Sequence, residues 1–242
     1  MSVVIAGGRG RVALLTSRLL AARGVRVSGI VRRPEQAATV RAAGAVPAVA
    51  DLASAGAEQL ARLLTGARAV LFAAGAGRGD APGQANPVDH DAALTLAEAA
   101  RLAGVRRFVM LSAMGADPAI DYPSDPLVET FLRAKGRADE DLLSRAALDC
   151  TVVRPAWFRD GPGTGLVHLA ERTGPGEIDR TDVAAVLADL VTARASAPRV
   201  LELISGPTPV HEAVARVTPR PTADGETGTP VGAPRGEHTP AR

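Results

Sequence analysis

The sequence is short of the residues that build disulfides, metal sites and membrane spans. Cys150 is the only cysteine in 242 residues, which excludes an internal disulfide and a metal site made of several cysteines. It lies in the apolar run DCTVVRP, so we interpret it as a buried, inert thiol. The four histidines show no ligand spacing, and we predict no metal. No apolar run approaches the roughly 20 residues of a membrane span and no signal segment is visible, so we expect a cytoplasmic protein without membrane contact.

Aromatic residues and net charge are also scarce. Aromatic side chains make up 2% of the chain, so the core must be built from Ala, Val and Leu within a hydrophobic content of 46%. The 28 basic and 26 acidic residues are interspersed and leave a formal net charge of +2. Because there is no basic block and no interleaving of basic and aromatic residues, we expect no nucleic-acid partner. We expect instead a small-molecule substrate, bound by a monomer or a homodimer.

Strand-like and helical segments alternate along the first 217 residues. The strand-like runs are continuously apolar, which is typical of a parallel sheet covered on both faces. We therefore predict an α/β fold, a Rossmann-type doubly wound parallel sheet in a single domain over residues 1–217. From about Pro219 the chain is rich in Pro and Gly and almost free of apolar residues. We predict that residues 218–242 form a disordered tail, because they cannot bury enough surface to offset their ordering entropy.

The stretch SVVIAGGRGRVALLT, residues 2–16, carries the clearest motif. An apolar run is followed by Gly7, Gly10 and Ala13 in the spacing G-x-x-G-x-x-A, and then by apolar residues at helical spacing. Such a strand–turn–helix unit lets the backbone approach a pyrophosphate, which the N–H groups and the dipole of the helix then bind. The alternative interpretation is a glycine-rich turn that binds nothing.

In an open parallel sheet, ligands bind outside the carboxyl ends of the strands. The predicted strand ends place one set of residues along that edge: residues 7–11, Arg32, Asp51, residues 73–75, Ser112 and Pro155.

Several further segments resemble one known family. They are GGRGRVA, VRR, ADL, FAAGAG, FVMLSAMG, FLRAK, VVRPAWF and IDRTDVAAVLADL, and together they span about residues 2–217. They resemble the atypical short-chain dehydrogenase/reductase family, in the NAD(P)H-binding subgroup that includes NmrA-like and biliverdin/flavin reductase-like proteins. The resemblance implies a pyrophosphate turn of Gly7, Arg9, Gly10, Arg11 and Val12; an adenine contact at Asp51 and Leu52; a ribose contact at Ala73, Ala74 and Gly75; and Pro155 with Ala156 beneath the nicotinamide.

The end of the second strand predicts which cofactor binds. An NAD-binding protein usually carries a carboxylate there, which accepts hydrogen bonds from the ribose hydroxyls. This chain has Arg32 and Arg33, and a guanidinium suits a 2′-phosphate. Arg9 in the turn adds a further donor. We therefore predict NADP rather than NAD, the alternative being a solvated arginine pair at the start of a helix.

The family's catalytic pattern is incomplete in this chain. The family uses a Ser, a Tyr and a Lys four residues after the Tyr, in which the Tyr hydroxyl moves the proton. Ser112 and Lys135 match, but Phe131 stands at the Tyr position and has no proton to give. We predict that Ser112 and Lys135 belong to the site and that Lys135, the only lysine, binds the cofactor. The alternatives are a turn-capping serine and an exposed helix lysine.

Two aromatic segments remain open to interpretation. Tyr122, the only tyrosine, either faces the site in place of the missing hydroxyl or lies away from it. Trp157 and Phe158 follow Pro155 and either line a substrate pocket or belong to the core.

The resemblance supports two functions of different classes. One is an NADPH-dependent reductase of a small planar acceptor, such as a flavin or a quinone. The other is a non-catalytic NAD(P) sensor of the NmrA-like kind, which the loss of the Tyr fits equally well. An epimerase of the extended family ranks last, because the chain after Pro155 is too short for a large substrate domain.

Overall fold

The computed structural model describes residues 1–75, 88–193 and 198–218. Strands and helices alternate through most of this length, as the apolar pattern predicts. In chain order the elements are β1 Ser2–Ala6, α1 Arg11–Ala22, β2 Arg26–Val31, α2 Ala37–Ala42, β3 Val46–Val49, α3 Ala57–Leu63, β4 Ala69–Phe72, α4 Val88–Leu102, β5 Arg107–Leu111, α5 Pro126–Leu143, β6 Asp149–Pro155, β7 Trp157–Arg159, β8 Leu166–Ala170, β9 Glu177–Asp179, α6 Arg180–Thr192, β10 Arg199–Ser205, β11 Thr208–Pro209 and α7 Val210–Val217.

The main sheet has nine strands in the order β11-β8-β10-β6-β5-β4-β1-β2-β3. The chain runs outward from β1 in both directions, so the strand order reverses between β1 and β4. The seven strands from β10 to β3 pair in parallel, which confirms the Rossmann-type doubly wound fold.

The outermost strands on one side of the sheet, β8 and β11, differ from the all-parallel prediction. β8 pairs antiparallel with β10, and β11 pairs antiparallel with β8. The side chains of β8 alternate between exposed and buried, whereas the central strands are buried on both faces. That alternation suits an antiparallel edge strand with one face open to solvent.

Two apolar layers cover the faces of the sheet, and small side chains build much of both. One layer involves α1, α6 and α7, and the other α3, α4 and α5. α4 contributes five buried alanines to the second layer, which lets neighbouring helices pack closely. Cys150 is fully buried in this layer, and its burial raises the pKa of the thiol to about 12. The thiol is therefore protonated and unreactive at neutral pH, as the sequence predicts.

Some predictions concern segments outside this structure. α7 ends at Val217, and the predicted tail beyond Thr218 lies outside the described residues.

Within the described ranges, no helix is both long enough and apolar enough to cross a membrane. In the same ranges, no group of three or more His, Cys, Asp or Glu side chains is arranged to hold a metal ion.

Candidate functional site

Hydrogen bonds just beyond the strand ends bring the predicted residues of the amino-terminal half together. The N–H of Gly8 donates to the carbonyl of Ile30 at 2.8 Å, and the N–H of Ala73 donates to the carbonyl of Ala6 at 3.0 Å. The N–H of Ala50 donates to the carbonyl of Val31 at 2.9 Å. The glycine turn, the arginine pair, Asp51 with Leu52, and residues 73–75 therefore lie side by side at the carboxyl edge.

The same edge continues into the other half of the sheet. The N–H of Ser112 donates to the carbonyl of Val153 at 2.8 Å, and that of Met114 donates to Pro155 at 2.9 Å. Ser112 therefore follows β5, and Pro155 is the last residue of the neighbouring strand β6. Every strand end that the sequence placed along one edge lies there.

The glycine turn is held against the end of β4. Gly7 has φ +77°, and a Cβ at this position would lie 2.6 Å from the Cα of Ala74. A Cβ at Gly8 would lie 2.8 Å from the Cα of Gly29 in β2. Both distances are too short for a side chain, so only glycine allows the turn to pass so close to its neighbours. Sequence reasoning found Gly7 and Gly10 but missed the packing of Gly8 on Gly29.

The start of α1 leaves its N–H groups without a side-chain cap. Gly10 occupies the capping position, and the first bond of the helix runs from Leu14 N–H to the Gly10 carbonyl at 2.9 Å. The N–H groups of the first turn, from Arg11 to Ala13, therefore remain as donors at the positive end of the helix dipole. This is the arrangement that binds a phosphate.

The Arg11 side chain has a different role from its backbone. Its guanidinium pairs with Asp160 at 2.6 Å, and the other oxygen of Asp160 pairs with Arg180 at 2.6 Å. These contacts link the start of α1 to the loop after β7 and to the start of α6. The predicted contribution of Arg11 to the turn therefore belongs to its N–H group.

The side chains of the arginine pair at the end of β2 are exposed, and hydrogen bonds from the backbone of both residues fix the position of the pair. The side-chain oxygen of Gln36 accepts hydrogen bonds from the N–H groups of Arg32 and Arg33, at 3.1 and 3.2 Å. Among the described residues, neither guanidinium has a carboxylate partner, and the same holds for Arg9. The nearby Asp51 uses its carboxylate to accept from the N–H of Ala53 at 3.1 Å. This corner of the edge therefore presents three guanidinium groups that have no carboxylate partner among the described residues.

Lys135 lies where β4 and β5 end. It is 3% exposed, so the interpretation as an exposed helix lysine is wrong. Its Nζ donates to the carbonyls of Leu111 at 3.3 Å and Ala74 at 3.5 Å. It also lies 5.8 Å from the ring centre of Phe72 and 5.9 Å from that of Phe131. The ammonium group thus joins the end of β5 to the end of β4, where the resemblance places a ribose of the cofactor.

Ser112 is bound to an acid that sequence reasoning missed. Its Oγ donates to Oδ2 of Asp139 at 2.7 Å, and the Nε of Arg154 donates to the same oxygen at 2.9 Å. Asp139 has no exposed surface, and this burial raises the pKa of its carboxyl against the opposing effects of Ser112, Arg154 and Lys135. The available signal was the spacing, since Asp139 follows Lys135 by four residues and so shares its helix face.

The aromatic residues near the edge take separate positions. Tyr122 lies in an exposed loop, where its N–H donates to Glu129 at 2.8 Å. Trp157 is 60% exposed directly after β6, so it is not a core residue. The guanidinium of Arg180 stacks over the ring of Phe158, with its central carbon 4.8 Å from the ring centre.

Comparison with known proteins adds a family to this geometry. The family model described as NAD(P)H-binding matches residues 7–194. The uncharacterized sugar epimerase YhfK of Bacillus subtilis is 33% identical over 191 residues, which are 79% of this chain and 87% of that protein. A solved structure from Bacillus halodurans, provisionally named an NAD-dependent epimerase/dehydratase, has a TM-score of 0.78 at 30% identity. It covers 90% of this chain and 100% of its own.

A further solved structure supports the fold alone. The anaerobillin reductase ChuY of Escherichia coli O157:H7 has a TM-score of 0.72 at 23% identity, over 85% of this chain and 97% of its own. The family match includes the glycine turn, the arginine pair, Ser112 and Lys135. The chain therefore belongs to the NAD(P)H-binding family.

Proposed function

We propose that the protein is an NADPH-dependent reductase of a small planar acceptor of the flavin or quinone type. The observation that carries this proposal is Phe131, whose ring lies beside Lys135 at the position where the resemblance expects a tyrosine hydroxyl. When bound, the nicotinamide supplies a hydride, and the protein's remaining task is to orient the two partners. A planar acceptor takes its proton from water, so this chemistry does not require the missing hydroxyl.

The residues at the carboxyl edge fit a dinucleotide. Only glycine fits at Gly7, and the uncapped N–H groups of α1 offer donors to a pyrophosphate. Lys135 holds a ribose hydroxyl in this proposal, because a compact ammonium fits between the ends of β4 and β5. Pro155 and Ala156 then lie beneath the nicotinamide ring.

The charge at the end of β2 supports NADP over NAD. Arg32 and Arg33 are exposed and without carboxylate partners in the described part of the chain, and Arg9 is exposed in the neighbouring turn. A 2′-phosphate would neutralise this charge through charge-assisted hydrogen bonds. An unmodified ribose would leave the guanidinium groups without a partner.

The exposed aromatic residues after β6 support a planar acceptor. Trp157 presents a large apolar surface next to the strand end at Pro155. Flat aromatic rings stack on such a side chain, with a contribution of about 1 kcal/mol beyond the area that they bury.

Turnover tests the proposal directly. The purified protein is mixed with NADPH or NADH and with FMN, lumiflavin or menadione, and nicotinamide absorbance is followed. We expect oxidation of NADPH with at least one acceptor, at a KM for NADPH lower than that for NADH. Failure of every acceptor in the presence of bound NADPH would overturn the reductase proposal.

Phe131 also favours a second candidate, a non-catalytic sensor of the NAD(P) redox state. A sensor would bind NADP+ and NADPH with unequal affinity and would not oxidise NADPH with any acceptor. Titrations of both forms, followed by nicotinamide and tryptophan fluorescence, separate this outcome from the reductase.

The epimerase names of two relatives fit the site less well. Removing a hydride from the carbon that bears a sugar hydroxyl requires a base that takes the hydroxyl proton. Phe131 supplies no such group.

A further inference from the structure

A buried set of polar residues lies behind the carboxyl edge. Ser112, Lys135 and Asp139 are buried, and Arg154 is largely so. Oδ2 of Asp139 accepts from Ser112 Oγ and from Arg154 Nε, while Oδ1 has no hydrogen-bond partner among the described residues. Neither the glycine turn nor the arginine pair needs this arrangement.

The contacts fix the direction of the hydrogen bond between Ser112 and Asp139. An arginine Nε can only donate, so Oδ2 accepts from Arg154, and the positive charge of the guanidinium favours an unprotonated oxygen at that position. If Asp139 takes up a proton, the unoccupied Oδ1 is the oxygen available to receive it. In both protonation states, the hydroxyl of Ser112 therefore points its proton at Oδ2.

A hydroxyl has one proton and two lone pairs. Because the proton of Ser112 is directed inward to Asp139, its Oγ offers only lone pairs to anything bound at the end of β5. A substrate carbonyl at that point meets no donor from Ser112, whereas a substrate N–H or O–H meets an acceptor.

We propose that Asp139 is a positioning residue that turns Ser112 into a hydrogen-bond acceptor, so that the site selects hydride acceptors carrying an N–H or O–H donor, such as the N3–H of a flavin ring. This inference rests on the proposed function, and it separates flavin-type acceptors from quinones, which have no donor.

Two matched flavins test the proposal by binding rather than by turnover. Lumiflavin has one polar hydrogen, at N3, and 3-methyllumiflavin differs only by a methyl group in its place. Flavin fluorescence quenching gives the dissociation constant of each with the full-length protein in the presence of NADP+. We expect lumiflavin to bind about fivefold to tenfold more tightly, the ratio expected from one hydrogen bond.

Variants show whether Ser112 causes the preference. Ser112→Ala removes the acceptor, and the two flavins are then expected to bind equally. Asp139→Ala removes the oxygen that accepts the serine proton and so frees that proton, which is expected to shrink the preference. Asp139→Asn keeps a carbonyl oxygen for Arg154 and Ser112 and is expected to keep the preference. Glu140→Gln, an exposed change on the same helix, is expected to leave the preference as it is. A urea unfolding curve for each variant confirms that it is folded.

The outcomes are distinct from those of the turnover assay. Equal binding of the two flavins to the unaltered protein, or no binding of either, overturns the proposal. A preference that survives in Ser112→Ala also overturns it, because the methyl group then acts by its size. NADPH oxidation with menadione would still support the reductase in each of these cases.

Discussion

Arginines at the two edges of the sheet have opposite surroundings. Arg107, at the amino end of β5, is 7% exposed and donates to the carbonyls of Leu190 and Asp149 and to the Thr151 hydroxyl. Arg32, at the carboxyl end of β2, is exposed and has no ion-pair partner among the described residues. An arginine therefore stabilises the fold at the amino edge, whereas at the carboxyl edge an arginine is exposed and has no ion-pair partner among the described residues.

The buried arginine keeps its charge. Burial lowers the pKa of Arg107 to about 10, which still leaves the guanidinium protonated at neutral pH. Its contact with the carbonyl of Leu190 places a positive charge at the carboxyl end of α6, where the helix dipole favours it. The comparison predicts that changes at the amino edge reduce stability and that changes at the carboxyl edge reduce binding.

The largest effect is expected for Arg107→Met. This change removes the donor from two carbonyls and one hydroxyl in a buried place, and each lost partner costs about 1–3 kcal/mol. We expect the free energy of unfolding to fall by about 4 kcal/mol, measured by urea denaturation. NADPH binding to the folded fraction should be unchanged.

Arg106→Met is the matched control. The neighbouring Arg106 is exposed and pairs with Asp149 at 3.2 Å, and such surface pairs contribute less than about 1 kcal/mol. If both variants lose the same small amount of stability, Arg107 is not the anchor that its contacts indicate.

Gly7→Ala should affect both stability and binding, because Gly7 lies at the carboxyl edge and also packs against the backbone of Ala74. The new methyl group would overlap the backbone of Ala74, and the residue has φ +77°. We expect a loss of about 3 kcal/mol in unfolding free energy and a weakening of NADPH binding by more than about tenfold, by fluorescence titration.

Gly24→Ala separates the two causes of that loss. Gly24 has φ +73° but nothing within 4 Å of a Cβ, so only backbone strain of about 1 kcal/mol is expected. Equal losses in the two variants would show that the contact with Ala74 has no cost of its own.

The fold and the edge could be predicted because they depend on local patterns. Continuous apolar runs fix buried parallel strands, and the glycine spacing after β1 fixes the turn. Both signals lie within a few consecutive residues. The antiparallel strand β8 was missed because its run LVHLA is apolar at four of five positions, so the sequence does not display the alternation of exposed and buried side chains that the structure has.

Asp139 and Arg107 could not be found in the same way. An aspartate in a helix and an arginine at a strand start are usually solvated. The four-residue spacing from Lys135 places Asp139 on the same helix face but does not show that it is buried, and nothing beside Arg107 in the sequence shows its burial. Their burial depends on partners far away in the chain, such as Ser112 for Asp139 and Leu190 for Arg107. Lys135 was predicted because a resemblance supplied its role, whereas Asp139 had no such support.

Arg32→Ala tests the carboxyl edge itself. Removing one guanidinium from the proposed 2′-phosphate site should weaken NADPH binding by about tenfold and NADH binding by less than about twofold. Arg26→Ala is the control, because Arg26 is exposed at the amino end of the same strand. Equal weakening of both cofactors in Arg32→Ala would remove the phosphate role from this residue.

The smallest effect is expected at His90, whose contacts with two carboxylates are partly exposed, whereas the hydrogen bonds of Arg107 are largely buried. Its ring nitrogens meet Asp91 at 2.9 Å and Asp141 of α5 at 2.7 Å. Burial lowers the pKa of His90, but the hydrogen bonds to Asp141 and Asp91 outweigh it and leave the pKa above 6.5. The protonated form of His90 is thus favoured in the folded state. The contribution of His90 to the free energy of unfolding is therefore complete below pH 6.5 and disappears as the pH rises through the raised pKa.

The His90 contribution can be measured as the difference in unfolding free energy between the unaltered protein and His90→Gln. We expect about 0.5 kcal/mol at pH 5.5, falling towards zero at pH 8.5. Asp141→Asn removes the partner on α5 and should flatten this dependence. A difference that instead grows with pH would mean that the neutral imidazole is the stabilising form. A difference as large as that of Arg107→Met would show that partial exposure does not weaken the contacts of His90.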